Sequence, residues 1–217
     1  MTGQEFLDFI GAEMSLSLLQ EQRFLALEQM YREWNSQINV ISRKDIDGIY
    51  DHHILHSVAI AHYLSITMGF EAAFATGDIL DLGTGGGFPG IPLAILYPGA
   101  RFTLCDSVNK KTIVAQAVAQ ALELENVQVV NARAESLGRS FDFVVSRAVA
   151  SLTDFYHWVK GRFNDSILYL KGGDVNEEIS QLMARHRIRP GKIHTWPVSS
   201  WLNDEYYEGK LVIHIEK

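Results

Sequence analysis

The chain has 217 residues, 47% of them hydrophobic and 21% charged, with a formal net charge of -7. That is apolar material for one domain, or one domain with an appendage, and the acidity excludes a protein that coats nucleic acid without specificity. Its single cysteine, Cys105, excludes an intrachain disulfide and a thiolate zinc cluster.

No apolar run approaches the roughly 20 residues that span a bilayer. Acids stand in MTGQEFLDF where a secretory signal needs bases. A cytoplasmic protein with no membrane contact is expected. Charge is unevenly spread: residues 1 to 35 carry six acids against Arg23 and Arg32, whereas 183 to 194 hold Arg185, Arg187, Arg189 and Lys192 with no acid. A polyanion should meet the later part of the chain.

In chain order, Phe24, Leu27, Met30, Tyr31, Trp34 and Ile38 recur at three- and four-residue steps, a helical stripe opened by a capping-box pair, Ser17 and Gln20. IYDHHILHSVAIAHYLSI predicts a second helix, so residues 1–72 read as a helical extension ahead of a domain over 73–217. From there, short apolar runs alternate with helical patterns: DILDL, RFTLCD, VQVVNA, FDFVVS and SILYLK. That alternation predicts βαβ units and a mostly parallel sheet covered on both faces. Pro89 and Pro92 suit a helix start, Pro98-Gly99 its end, and Asn109 a cap for the next helix. KIHTWPV and KLVIHIEK suit two antiparallel edge strands.

The first strand runs into DLGTGGGFPG, where Gly83, Gly85, Gly86, Gly87 and Gly90 exceed the one or two glycines a tight turn needs. In an open α/β sheet this loop is the usual cradle for a ligand. A P-loop lysine is missing, since none follows before Lys110. Gly85, Gly87 and Gly90 match G-x-G-x-x-G, which keeps an NAD-dependent oxidoreductase open, although Pro89 and Pro92 remove amides that a pyrophosphate would use. Asp81, Gly83, Gly85 and Gly87 match the acid-x-G-x-G-x-G pattern of class I methyltransferases, for which the ligand is phosphate-free S-adenosylmethionine. Asp106, ending the second strand, suits ribose hydroxyls under either reading.

The longer strings GTGGGFPGIPLAI, LCDSVNKK, NARAES and VVSRAVASL, with YREWNSQINVISR and HHILHS ahead of them, closely resemble ribosomal RNA small-subunit methyltransferase G, also called glucose-inhibited division protein B. The resemblance covers most of the chain. It implies a Rossmann-like class I methyltransferase fold with a seven-stranded sheet, S-adenosylmethionine as cofactor, and methyl transfer to N7 of a guanine in the decoding region of bacterial 16S rRNA. The partner is 16S rRNA or the 30S subunit, and the enzyme is expected to be a monomer. Carried over by matching position, Gly83 and Phe88 line the cofactor, Ala134 and Glu135 meet the adenosine, and Arg147 lies at the reacting centre. A methyltransferase of this fold acting on another substrate is the alternative.

Guanine N7 already presents a lone pair, so no general base is expected and Arg147 is assigned a positioning role. Arg133, Arg147 and Lys171 are expected at strand ends, with Lys110 and Lys210 nearby, ringing one opening for RNA. Asn39 and His53 match family positions and are assigned to the RNA side. Where that family commonly reads R-H-I-L-D-S, this chain has His52-His53-Ile54-Leu55-His56-Ser57. His52 and His56 are four apart, but without the glutamate of H-E-x-x-H they read as helix-surface residues and no metal is expected.

Overall fold

A computed structural model describes residues 1–67 and 69–217. Two capped helices open the chain, α1 (Gly3–Gly11) and α2 (Leu18–Asn35). Ser17 Oγ accepts from the Gln20 amide while Gln20 Oε1 accepts from the Ser17 amide, so the predicted capping box is present. Phe24, Leu27 and Tyr31 are buried along α2, and Ile38 lies past its end. The histidine-rich segment differs from expectation in form: Ile49–Ile54 is a π-helical turn that tightens into α3 (Leu55–Ile66), with α4 (Phe70–Phe74) following. Most of α3 is buried, because it is wrapped by other helices and the sheet.

The strands are β1 (Asp78–Leu82), β2 (Arg101–Asp106), β3 (Val127–Asn131), β4 (Phe141–Arg147), β5 (Phe163–Gly172), β6 (Ile193–Pro197) and β7 (Lys210–Glu216). Between them lie α5 (Gly90–Leu96), α6 (Asn109–Ala121), α7 (Leu152–Val159) and α8 (Asn176–His186). They form one seven-stranded sheet in the order β3-β2-β1-β4-β5-β7-β6, with β1 to β5 parallel. The expectation of two edge strands needs correction: β7 is inserted between β5 and β6, antiparallel to both, so of these two strands β6 alone lies at an edge. Asn109 is the first residue of α6 and not its cap; Val108 occupies the cap position without a side-chain hydrogen bond.

Successive strand residues face opposite sides, and the two faces carry separate cores. One core joins Phe6, Phe24 and Tyr31 through Ile60 to Phe102, Phe143 and Leu168, so the N-terminal helices share apolar packing with the sheet. The other packs Leu80, Val144 and Tyr169 against Phe155 of α7 and Leu182 of α8. Strand order reverses between β1 and β4, which opens a crevice beyond their carboxyl ends.

Candidate active site

The base of that crevice is the glycine loop. Gly85 has φ +58 with open space where a Cβ would sit, and its amide donates to Asp106 Oδ2 at 2.9 Å. Asp106 Oδ1 accepts from the Val108 amide at 2.8 Å, so one carboxylate ties the loop after β1 to the loop after β2. The other glycines are not all held for a ligand. A Cβ at Gly90 would lie 2.5 Å from Asp81 Oδ2, one at Gly86 would meet Val40, and one at Gly87 would meet Ile91. A Cβ at Gly83 would likewise lie 2.4 Å from Val149, so four of the five glycines are demanded by the protein's own packing and Gly85 alone of them has open space.

The loop's amides are largely paired within the fold. Gly83 and Thr84 donate to the Cys105 carbonyl, Gly87 and Phe88 to the Thr84 carbonyl, and Gly90 to Asp81. What remains is no row of free donors of the kind a pyrophosphate needs. Asp81 itself is buried. Its Oδ2 accepts from Thr84 Oγ1 at 2.6 Å and Gly90 N at 2.8 Å, while Oδ1 has no partner among the described residues. Burial pushes its carboxyl up to about 7, against the two hydrogen bonds. A loop whose amides are largely spent within the fold suits a ligand without phosphate.

Above the loop lies a cleft of about 500 Å³. Gly83, Asp106, Arg133, Ala134, Glu135 and Arg147 line it, as their strand-end positions predict. Asp81, Gly87 and Phe88 do not; they are buried behind it, and Gly85, also outside the lining, is half-buried with open space beside it. Lys111, Val108 and Trp158 also line the cleft and were missed. Lys111 and Val108 sit at the start of α6, where one residue of register decides which side chain faces inward, and Trp158 comes from the distant α7.

Phe88 is buried at 4% exposure and packs behind Arg147 rather than lining the cleft. Its ring packs on Tyr31 at 4.7 Å, and the Arg147 guanidinium lies 5.2 Å over it. Tyr31 donates to the Gly86 carbonyl at 2.8 Å, which joins α2 to the glycine loop. Arg147 donates to His53 Nδ1 at 3.0 Å, and among the described residues it has no carboxylate partner. Burial holds it below the usual arginine range.

A family model described as rRNA small subunit methyltransferase G matches residues 20–199. The chain belongs to that family. It is thereby a methyltransferase with S-adenosylmethionine as its cofactor. Curated relatives named Ribosomal RNA small subunit methyltransferase G include one from Flavobacterium psychrophilum, 46% identical over 92% of each chain. Another, from Porphyromonas gingivalis, is 43% identical over 92% of this chain and 88% of the relative. Among solved structures, magnesium protoporphyrin IX methyltransferase from Synechocystis with bound SAM superposes with a TM-score of 0.61 over 88% of this chain and 96% of that one. At 11% identity this speaks for the fold alone.

Within this methyltransferase G family member, the expected ring of cations is only partly formed. Arg133 lines the cleft and Lys110 stands exposed just outside it. Lys171 is a correction: its Nζ pairs with Glu178 at 2.9 Å and donates to the Ala150 carbonyl at 3.2 Å, so it is an internal tie. Lys210 sits 3.4 Å over the Tyr206 ring and donates to the Tyr206 carbonyl, with burial lowering its pKa. Asn39 is exposed on the loop beside Val40, which packs on Gly86.

The histidines correct the surface reading. His56 is 5% exposed with Nε2 unpartnered, and His52 is stacked on Tyr206 at 3.7 Å and 13°. Among the described residues, no group of three His, Cys, Asp or Glu side chains comes together to hold a metal.

Proposed function

We propose that this chain transfers a methyl group from S-adenosylmethionine to N7 of a guanine in the decoding region of 16S rRNA, as a monomer acting on 16S rRNA or the 30S subunit in the cytoplasm. Family membership supports rRNA as the substrate class. Among the described residues no helix is long and apolar enough to cross a membrane. The observation that carries the cofactor assignment is the glycine loop with its amides paired inside the fold, beside a cleft lined by Gly83, Asp106 and Ala134.

S-adenosylmethionine, when bound, supplies an electrophilic sulfonium methyl. Gly83 and Gly85 offer bare backbone to it, Asp106 accepts from the ribose, and Ala134 and Glu135 flank the adenine. Arg147, held over Phe88, orients the acceptor guanine or a phosphate beside it. No group needs to accept a proton from N7. Catalysis is the holding of N7 in line with the methyl in a water-poor cleft, worth several kcal/mol. Residues 1–72 act as an extension that packs on the 73–217 domain and supplies the wall bearing His53.

Mass spectrometry of 16S rRNA from cells lacking the protein tests the assignment. One 7-methylguanosine is expected to vanish and to return when purified protein and labelled methyl donor are added. Persistence of every such mark refutes it. Calorimetry adds a second check: S-adenosylhomocysteine binds at micromolar concentration and NAD does not.

A further inference from the structure

We infer that Asp45 and His53 form a relay that positions Arg147 while leaving its positive charge free for an anion of the substrate. This rests on the reading that Arg147 works in the methyl-transfer site. The relay itself follows from hydrogen-bond chemistry.

A guanidinium only donates, so the Arg147 contact at 3.0 Å requires a lone pair on His53 Nδ1. His53 therefore carries its one hydrogen on Nε2, which lies 2.7 Å from Asp45 Oδ2 and donates to it. The imidazole is neutral in this arrangement, and burial together with the facing Arg147 lowers its pKa to about 4 against the opposing pull of Asp45. Asp45 is fixed in turn by His52, whose Nδ1 donates to Oδ1. His52 has little freedom: its ring lies between Tyr206 and the backbone of Gly48, where a Cβ would come within 2.8 Å of it.

A carboxylate in direct contact would have held Arg147 as firmly, but it would also have neutralised it and occupied two of its donors. Interposing an imidazole separates the two jobs. Orientation comes from His53 and the Phe88 face, and the compensating charge of Asp45 stays one ring away. Four of the five guanidinium N–H groups remain for a ligand. The groups facing His53 are Asp45 from the preceding loop, His52 and His56 from its own turn and helix, Arg147 from β4 and the apolar ring of Phe88. His53 is thus a positioning residue.

The test begins with nitrogen-15 correlation spectra of histidine-labelled protein. They are expected to show His53 as the neutral Nε2–H form from pH 5 to 8; an Nδ1–H form or a cation at pH 6 overturns the relay. Transfer to 16S rRNA is then measured in His53→Asn, which keeps an acceptor near the Nδ1 position, and in His53→Glu, which supplies a carboxylate to pair with Arg147. With folding verified by melting temperature, His53→Asn keeps activity within about 10-fold, whereas His53→Glu loses about 100-fold, the scale of a misplaced reacting group. Equal losses in the two variants overturn the inference. If Arg147→Gln is inactive and His53→Glu fully active, the relay fails and the functional reading stands. Full activity of Arg147→Gln overturns both.

Discussion

The glycine loop and the histidine wall that holds Arg147 shape one cleft by different means. The loop is backbone chemistry: its amides and Asp106 interlock within some thirty residues of chain. The wall is side-chain chemistry, in which Asp45, His53, Arg147 and Tyr206 meet across separations of up to 154 residues. A loop held by its own backbone tolerates almost no added atoms. A wall held by side chains tolerates exchange wherever donors and acceptors still match.

The largest expected effect breaks the loop. At Gly90 a Cβ would press on Asp81 Oδ2 at 2.5 Å and on Leu104 Cγ at 2.9 Å, both fully buried. Gly90→Ala is expected to cost about 3 kcal/mol, the upper range for overpacking, and to remove S-adenosylhomocysteine binding. Gly85→Ala meets nothing within 4 Å and suffers only from φ +58. Its cost should be about 1 kcal/mol. Chemical denaturation of both variants checks the pair; equal losses would mean that close packing does not distinguish the two glycines.

The same contrast explains what was legible in advance. DILDLGTGGGFPG announces a strand, a glycine turn and a buried carboxylate because each is a local matter of backbone freedom and apolar patterning. Asp106 was readable for the same reason, since it ends the second strand. His52 and His56 were not, because a π-helical turn at Ile49–Ile54 breaks the 3.6-residue phasing that placed them on a helix surface. Lys171 shows a second limit. Its strand-end position was correct, but a long side chain goes where a partner waits, and Glu178 on α8 waits there. The insertion of β7 between β5 and β6 is likewise a matter of tertiary pairing, to which two antiparallel strands in sequence are indifferent.

Titration sharpens the comparison at an intermediate scale. On the wall side, burial lowers His53 to about 4 and drives His56 well below its ordinary value. Between about 4 and 6.5 the unfolded chain binds protons that the folded chain refuses. Their contribution is therefore complete above pH 6.5 and is lost as pH falls toward 4. On the loop side, Asp81 is pushed up to about 7, so the folded protein holds a proton that the unfolded chain has released above about 3.8. Stability from this group is complete below about 3.8 and is lost as pH rises to about 7, so it opposes the histidines in the same window. Asp81→Asn is expected to steepen the acid limb of a melting-temperature profile between about 4 and 7 and to leave the profile above 7 unchanged. A profile in which Asp81→Asn alters only the region above about pH 7 would contradict this division.

The smallest expected effect concerns the cations, and it separates those that face the cleft from those that hold the wall together. Arg133 lines the cleft, and no side-chain hydrogen bond or ion pair holds it among the described residues. Arg133→Gln should weaken binding of 16S rRNA fragments several-fold, because a neutralised phosphate releases condensed counterions, and should reduce the slope of log affinity against log salt by about 0.7 to 1. Lys171 has its charge matched by Glu178 and its ammonium hydrogen-bonded to Ala150, at 16% side-chain exposure. Lys171→Met should leave both affinity and salt slope unchanged while costing about 1 kcal/mol of stability as Glu178 loses its partner. Filter binding at a series of salt concentrations reads both variants. A salt slope that drops in Lys171→Met would place that ammonium on RNA after all, and would mean that the tie to Glu178 opens when substrate arrives.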